Sequence, residues 1–146
     1  MARRFEVEAK DEKATRLAFD REGTWSLKYN LVWDRLLGLG LFDDDFYARE
    51  IELYKEKMNE YGVPLDCRAN YTKLDWMAWT TVMADVPEYT RAVYESMTNM
   101  TRDSLDRVPL TDWYDTVTAR QIGFQARSVL GGLFINLLLE HPKFCI

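Results

Sequence analysis

The sequence has one histidine, His141, and two cysteines, Cys67 and Cys145, among 146 residues. These scarcities exclude several kinds of chemistry. His141 precedes Pro142 near the end of the given chain, a poor place for the base of a Ser-His or Cys-His pair. The cysteines are far apart and lack metal-ligand spacing, so neither a metal site nor a cofactor is expected. Basic residues are also in deficit, with 19 Lys and Arg against 24 Asp and Glu and a net charge of −5. Phosphate-backbone binding needs clustered cations, and pairs such as Arg3-Arg4 are isolated, which argues against a nucleic-acid partner. No apolar run reaches the ~18–20 residues of a membrane span. The longest, Val129 to Leu139, is about half that and includes Asn136. Met1-Ala2-Arg3-Arg4-Phe5 leads into charged residues, unlike a signal peptide, so any secretion signal would lie upstream of Met1.

What the chain does have is aromatic and apolar bulk. Hydrophobic residues make up 47% and aromatics 14%, with five Trp and eight Tyr. That content suits a packed core, and equally a pocket that stacks on a small ligand. Residues 1–23 read as a polar N-terminal segment, helical over 5–14 and extended at Arg16–Phe19. Residues 24–146 read as helices. The cap and stop signals predict five of them: Ser26–Leu39, a second after Asp43-Asp44 to Tyr61, a third opened by Thr72 and Asp75 as a T-x-x-D capping pattern and ending at Ala84, a fourth from Pro87 to Met100, and a fifth from Phe124 to Glu140.

The faces alternate. In the second helix Tyr47, Ile51, Tyr54, Met58 and Tyr61 form one stripe, and in the fourth Tyr89, Val93, Met97 and Met100 do the same, so each has a wet side. The first, third and fifth are apolar nearly all round, as buried helices are. The fold class expected is therefore all-α, built from antiparallel hairpins in the order inner, outer, inner, outer, inner. That order fits a segment of an α/α toroid of six hairpins, incomplete by itself; an ordinary helix bundle fits the same pattern. In the toroid the inner helices run parallel, so the loops at 24–30, 62–72 and 102–123 meet at one end. Long loops inside a compact unit are commonly functional.

Those loops carry the polar candidates. Trp25, Tyr29 and Trp33 form an i, i+4, i+8 stripe best suited to packing, beside the pair Asn30 and Asp34. The second loop holds Asp66 and Arg68, then Lys73, Asp75 and Trp76; the third holds Arg107, Asp112, Trp113 and Tyr114, followed by Gln125 and Arg127. These can be read as helix caps and surface ion pairs. They can equally be read as a site in which carboxylates move protons and cations hold an anionic group. Arg127, before an apolar helix, calls for a carboxylate partner among Asp34, Asp75 and Asp112. Gly131-Gly132 points to close helix packing. Asp43-Asp44-Asp45 lacks a calcium-loop pattern and reads as a cap.

The strings WSLKYNLVWDRLLGL, YGVPLDCRANYTKLDWMAWTTVMAD and DRVPLTDWYDT…GFQARSVLGGLFI resemble the C-terminal part of the glutaminase A family of bacteria and fungi. The likeness covers about residues 15–138, in order and with matching gaps. Cys67 departs from it, standing where relatives more often carry a polar residue, and Glu140-His141-Pro142-Lys143 does not extend it. The resemblance implies an L-glutamine amidohydrolase with an α/α toroid domain, secreted or periplasmic, acting on a small molecule. It carries over no catalytic role to any single residue.

With no histidine-based nucleophile pair, water activation by a carboxylate is the economical mechanism. Asp66, Asp75 and Asp112 are the candidate acid and base pool. Arg68, Lys73 and Arg127 are candidates for binding the α-carboxylate or an oxyanion, with Trp76, Trp113 and Tyr114 as pocket walls. A glycoside hydrolase-type site is the rival reading, marked by carboxylates ~5–5.5 or ~6.5–9.5 Å apart. The other rival is a non-catalytic helical interaction module, with the candidates scattered and an apolar face exposed. As a segment, the chain is expected to be poorly active alone and to self-associate through flanks bearing Leu31, Leu36, Phe134 and Leu138.

Overall fold

A computed structural model of the chain describes residues 1–106 and 108–140. Arg107, His141 and Cys145 lie outside the described residues. The described part contains six α-helices: α1 (Ala2–Ala9), α2 (Val32–Leu36), α3 (Asp44–Glu56), α4 (Leu74–Thr80), α5 (Pro87–Asp103) and α6 (Ile135–Glu140). Short 3-10 segments at Tyr29–Leu31 and Ser128–Phe134 lead into α2 and α6. The all-α expectation needs correcting, because a three-stranded antiparallel sheet joins them. Its strands are β1 (Tyr71–Lys73), β2 (Trp113–Asp115) and β3 (Gln121–Gly123).

The outer helices start where their sequence signals place them, but the first of the two stops at Glu56 and not Tyr61, and the other runs past Met100 to Asp103. Asp43 caps α3, its carboxylate accepting from the Phe46 amide at 2.8 Å, while Asp44 and Asp45 sit in the first turn where the helix dipole favours them. The face of α3 carrying Phe46, Tyr47, Ile51 and Tyr54 is buried, as is that of α5 carrying Tyr89, Val93, Met97 and Met100. Asp34 joins α2 to α3. Its carboxylate accepts the Leu41 and Phe42 amides at 2.9 and 3.2 Å and the Tyr47 hydroxyl.

The inner helices differ more from expectation. The first is broken: Ser26 forms a β-bridge with Asp66 instead of starting a helix. The third begins at Leu74, and no Thr72 capping box forms, because residues 71–73 are committed to β1. The fifth starts at Ser128, since Phe124 and Ala126 adopt left-handed backbone conformations that no helix accepts. Of the three, only α4 is buried along most of its length. Trp33, Leu37, Phe134, Leu137 and Leu139 are exposed, and Leu31, Leu36 and Leu138 half-buried. Among the described residues no helix is long and apolar enough to cross a membrane.

The loops around residues 24–30, 62–72 and 102–123 come together. Leu27 and Cys67 amides donate to the Leu65 and Trp25 carbonyls at 2.7 and 3.1 Å, and β1 pairs with β2 in the register Tyr71–Asp115, Thr72–Tyr114, Lys73–Trp113. Residues 1–23 are docked on this body. The amide and hydroxyl of Thr15 donate to the buried Glu50 carboxylate at 2.8 and 2.7 Å, and Phe5 meets Phe42 edge to face.

Gly131 and Gly132 have different reasons to be glycine. A Cβ on Gly132 would lie 2.8 Å from the Asp75 Cβ and 2.9 Å from the Trp79 Nε1, whereas one on Gly131 would meet nothing within 4 Å. Gly132→Ala is therefore expected to cost about 1–3 kcal/mol through overpacking. Gly131→Ala should be neutral or stabilise by up to ~1 kcal/mol through the unfolded chain. Urea midpoints of the two variants check this; equal midpoints contradict it.

Candidate functional site

The sheet explains how distant candidates meet. Lys73 ends β1 opposite Trp113, and the Leu74 amide donates to the Asp112 carbonyl at 2.9 Å, fastening the start of α4 to the start of β2. Lys73, Asp75 and Trp76 are thereby held beside Asp112. Arg127 arrives from the other side, where the Ala126 amide donates to the Leu110 carbonyl at 3.0 Å.

Asp112 is the centre of this cluster and is 0% exposed. Its carboxylate accepts from Arg127 Nε at 3.0 Å and, on the other oxygen, from a second guanidinium nitrogen. Lys73 Nζ donates to the same carboxylate at 3.3 Å. Lys73 is nearly buried, its side chain 9% exposed, while that of Arg127 keeps 38% exposure. Aromatic faces complete the surroundings of the cations. The Lys73 ammonium lies 4.5 Å from the Trp113 ring centroid and 4.2 Å from that of Phe124, and the Arg127 guanidinium stacks 3.9 Å from Phe124. The backbone is left-handed at Phe124 (φ 56°) and Ala126 (φ 50°), in the segment that brings the ring to Lys73 and the guanidinium to Asp112. Each such conformation costs roughly 1–2 kcal/mol outside glycine, and strain of this kind concentrates at functional sites.

Asp75 is the second buried carboxyl, in the first turn of α4, and its Oδ1 has no hydrogen-bond partner. The two carboxyls titrate in opposite directions. Burial raises Asp75, and the negative Asp112 adds to the rise, against the pull of its own and the Trp76 backbone amides and of Lys73. Burial would raise Asp112 too, but the Arg127 hydrogen bonds and the Lys73 charge outweigh it and hold that carboxyl below its ordinary value. Burial likewise lowers Lys73, with Asp112 opposing. The surroundings thus favour the protonated form of Asp75 and the ionised form of Asp112.

Asp66 and Arg68 form a separate pair. Asp66 is buried and chelated by the Arg68 guanidinium at 2.9 and 2.7 Å, which is the main reason its carboxyl titrates low. The pair lines a cleft of about 400 Å³ shared with Ser26, Tyr29, Asn30 and Trp76. Trp76 connects the two groups, stacked on Tyr29 at 4.3 Å while Lys73 lies 6.0 Å from its ring. Tyr114 stands apart from both. Adjacent strand residues face opposite ways, so as Trp113 turns to the cations, Tyr114 is fully buried in the core, its hydroxyl donating to the Tyr61 carbonyl at 2.7 Å. Among the described residues no group of His, Cys, Asp or Glu could hold a metal ion.

Phe124 and Trp79 belong to this site and were not among the sequence candidates. Phe124 reads as a helix start and Trp79 as core. The only hint was the unusual position of Arg127, whose approach requires the segment before it to be irregular.

A family profile described as the glutaminase A six helical-hairpin domain matches residues 1–137. The chain is 36% identical over 129 residues to glutaminase A of Aspergillus oryzae, covering 86% of this chain and 18% of that protein. It is 26% identical over 162 residues to a probable glutaminase of Arthroderma benhamiae, covering 90% of this chain and 19% of that one. The chain thus spans less than a fifth of the length of either relative. No solved structure matches it.

The opposed carboxyls make a prediction about pH. A carboxyl whose folded value is lowered supports the fold above the ordinary carboxylate range and loses that support as pH falls; one whose value is raised supports it below that range and loses that support as pH rises. Asp112→Asn should therefore destabilise by ~3 kcal/mol at pH 7, the low end for breaking a buried pair because Arg127 keeps a wet side. Asp75→Asn should raise the urea midpoint at pH 7 and lose that gain near pH 3. Parallel pH profiles for the two variants would contradict the assignment.

Proposed function

The chain belongs to the glutaminase A family, and on that premise we propose that it supplies one wall of a site hydrolysing the side-chain amide of L-glutamine to glutamate and ammonia. The observation that carries this is the placement of Asp75, a buried carboxyl with an unpartnered oxygen and a raised pKa, next to two cations anchored on Asp112. In this reading Asp75 accepts a proton from the water whose oxygen attacks the amide carbon. It returns that proton to the nitrogen as the C–N bond breaks, so ammonia leaves, and the new carboxylic acid gives its remaining proton to that ammonia, leaving glutamate and ammonium. Asp112, held ionised, acts as the fixed counterion that sets the positions of Lys73 and Arg127. Arg127, with part of its guanidinium open, suits the α-carboxylate, and Lys73, in a drier setting, suits the oxyanion.

Trp76 and Trp113 wall this pocket, and the Asp66–Arg68 cleft, which Trp76 also lines, is a neighbouring subsite. Tyr114 supports β2 from the core. The same reading has residues 24–140 work as one arc of an α/α toroid, outside the cytoplasm as a secreted or periplasmic protein. It leaves the site open to water when the arc stands alone, which weakens oxyanion stabilisation.

The test substitutes this chain for the corresponding stretch of the Aspergillus oryzae relative and measures ammonia release from L-glutamine. The chimera should be active. Asp75→Asn in it should lower kcat by about 10²-fold or more, the usual scale for a lost proton-transfer group. Arg127→Met should act mainly through KM. An active chimera in which Asp75→Asn keeps kcat within a few-fold would remove Asp75 from the chemistry and overturn the reading.

A further inference from the structure

Asp75 and Trp79 stand one turn apart on the same face of α4. Each carries a buried polar atom with no hydrogen-bond partner, Oδ1 in one and Nε1 in the other. The first is an acceptor and the second purely a donor. Orphaned buried groups are rare in folded proteins, and here two complementary ones occur side by side. Gly132 measures how close the two side chains are: a Cβ there would start 2.8 Å from the Asp75 Cβ and 2.9 Å from the Trp79 Nε1, so the base of the Asp75 side chain and the indole N–H both abut this glycine. The Trp79 ring has little freedom to leave it, with Trp33 edge-on at 5.5 Å and Tyr29 tilted against it at 6.3 Å.

We propose that Trp79 is a positioning residue, whose indole N–H becomes the hydrogen-bond donor to Asp75 Oδ1 whenever that carboxyl ionises. A neutral carboxyl tolerates an unpartnered oxygen far better than a buried carboxylate does. The backbone amides of Asp75 and Trp76 already face the charge from the helix start, and the indole N–H adds a donor from the opposite end of the same turn. The bond is made by rotation of the Asp75 carboxyl toward Trp79, its neighbour one turn along α4. Gly132 leaves that rotation room, since any side chain there would occupy the space between the two groups. Charge and orientation are then coupled: the ionised, proton-accepting form of Asp75 is held in a single direction, and the protonated form is released from it. The catalytic meaning of this rests on Asp75 being the proton-transfer group proposed above, whereas the coupling itself is a property of the folded chain.

The experiment uses the intact 146-residue chain. The side-chain ¹⁵N–¹H resonance of Trp79, assigned by its disappearance in Trp79→Phe, is followed from about pH 3 to pH 9 together with the Asp75 carboxyl ¹³C resonance. The two should move with one shared midpoint. Trp79→Phe should raise the Asp75 midpoint by roughly one pH unit or more, as expected for losing a hydrogen bond to a charged group. Trp33→Phe, which alters the same aromatic cluster without removing this donor, should leave the midpoint in place. A Trp79 resonance that stays flat while Asp75 titrates overturns the proposal, and this arm needs no variant to fold beyond the one used for assignment. Shared titration combined with an Asp75→Asn chimera that still hydrolyses glutamine would keep the hydrogen bond and discard the catalytic reading, so the two failures are distinct.

Discussion

A carboxylate removed from water needs positive charge and N–H donors close by, or it does not stay charged. Asp112 is fully buried, and three stretches of chain far apart in sequence are arranged to meet that need. Lys73 comes from β1, Asp112 from the approach to β2, and Arg127 from the segment after β3. The strained backbone at Phe124 and Ala126 follows from the same requirement, since a regular helix through those residues would carry Arg127 elsewhere. The aromatic rings over the two cations let them lose water without losing all favourable contact.

Once Asp112 is neutralised, Asp75 is left as the odd carboxyl. Both are aspartates, both are buried, and they feel each other's charge. What separates them is that the two cations turn their hydrogen bonds to one and only their more distant charge to the other. Putting two like acids in unlike surroundings is how a protein sets their titrations apart. The cost is borne as folding stability at Asp75, and the ion cluster beside it supplies the rigidity against which that cost is tolerated.

The outer helices were legible because a 3.6-residue stripe with a cap is a local signal, and α3 and α5 have both. The meeting of three loops was also legible, from the alternation of wet and dry helices. What could not be read was the sheet. Strands of three residues such as Tyr71–Lys73 and Gln121–Gly123 carry almost no periodic signal, and their pairing is non-local, each joining β2 from a different part of the chain. The misread capping box at Thr72 and the misplaced start of the last helix at Phe124 are consequences of that one omission. Burial of the inner helices was overestimated for a related reason: a helix apolar all round is dry only where other elements surround it, and among the described residues α4 alone is surrounded. Lys73, Asp75, Trp76, Asp112, Trp113 and Arg127 converge as a set, while Asp66 and Arg68 satisfy each other and Tyr114 faces inward.

The pairing of β1 with β2 has a consequence for how sequences of this kind can change in length. Side chains alternate along a strand, so a slip of one residue would exchange Trp113 for Tyr114, delivering a phenol to the cations and an indole to the core. One residue inserted between Lys73 and Asp75 would turn α4, with Asp75 and Trp79 on it, by about 100° relative to Lys73 and Asp112. Beyond Asp115, in contrast, the chain reverses through exposed residues 117 and 118 before returning as β3, and added length there alters neither pairing partner of β2. Insertions and deletions should therefore gather in that turn and avoid residues 71–76, a boundary drawn by register and not by the chemistry of any one side chain.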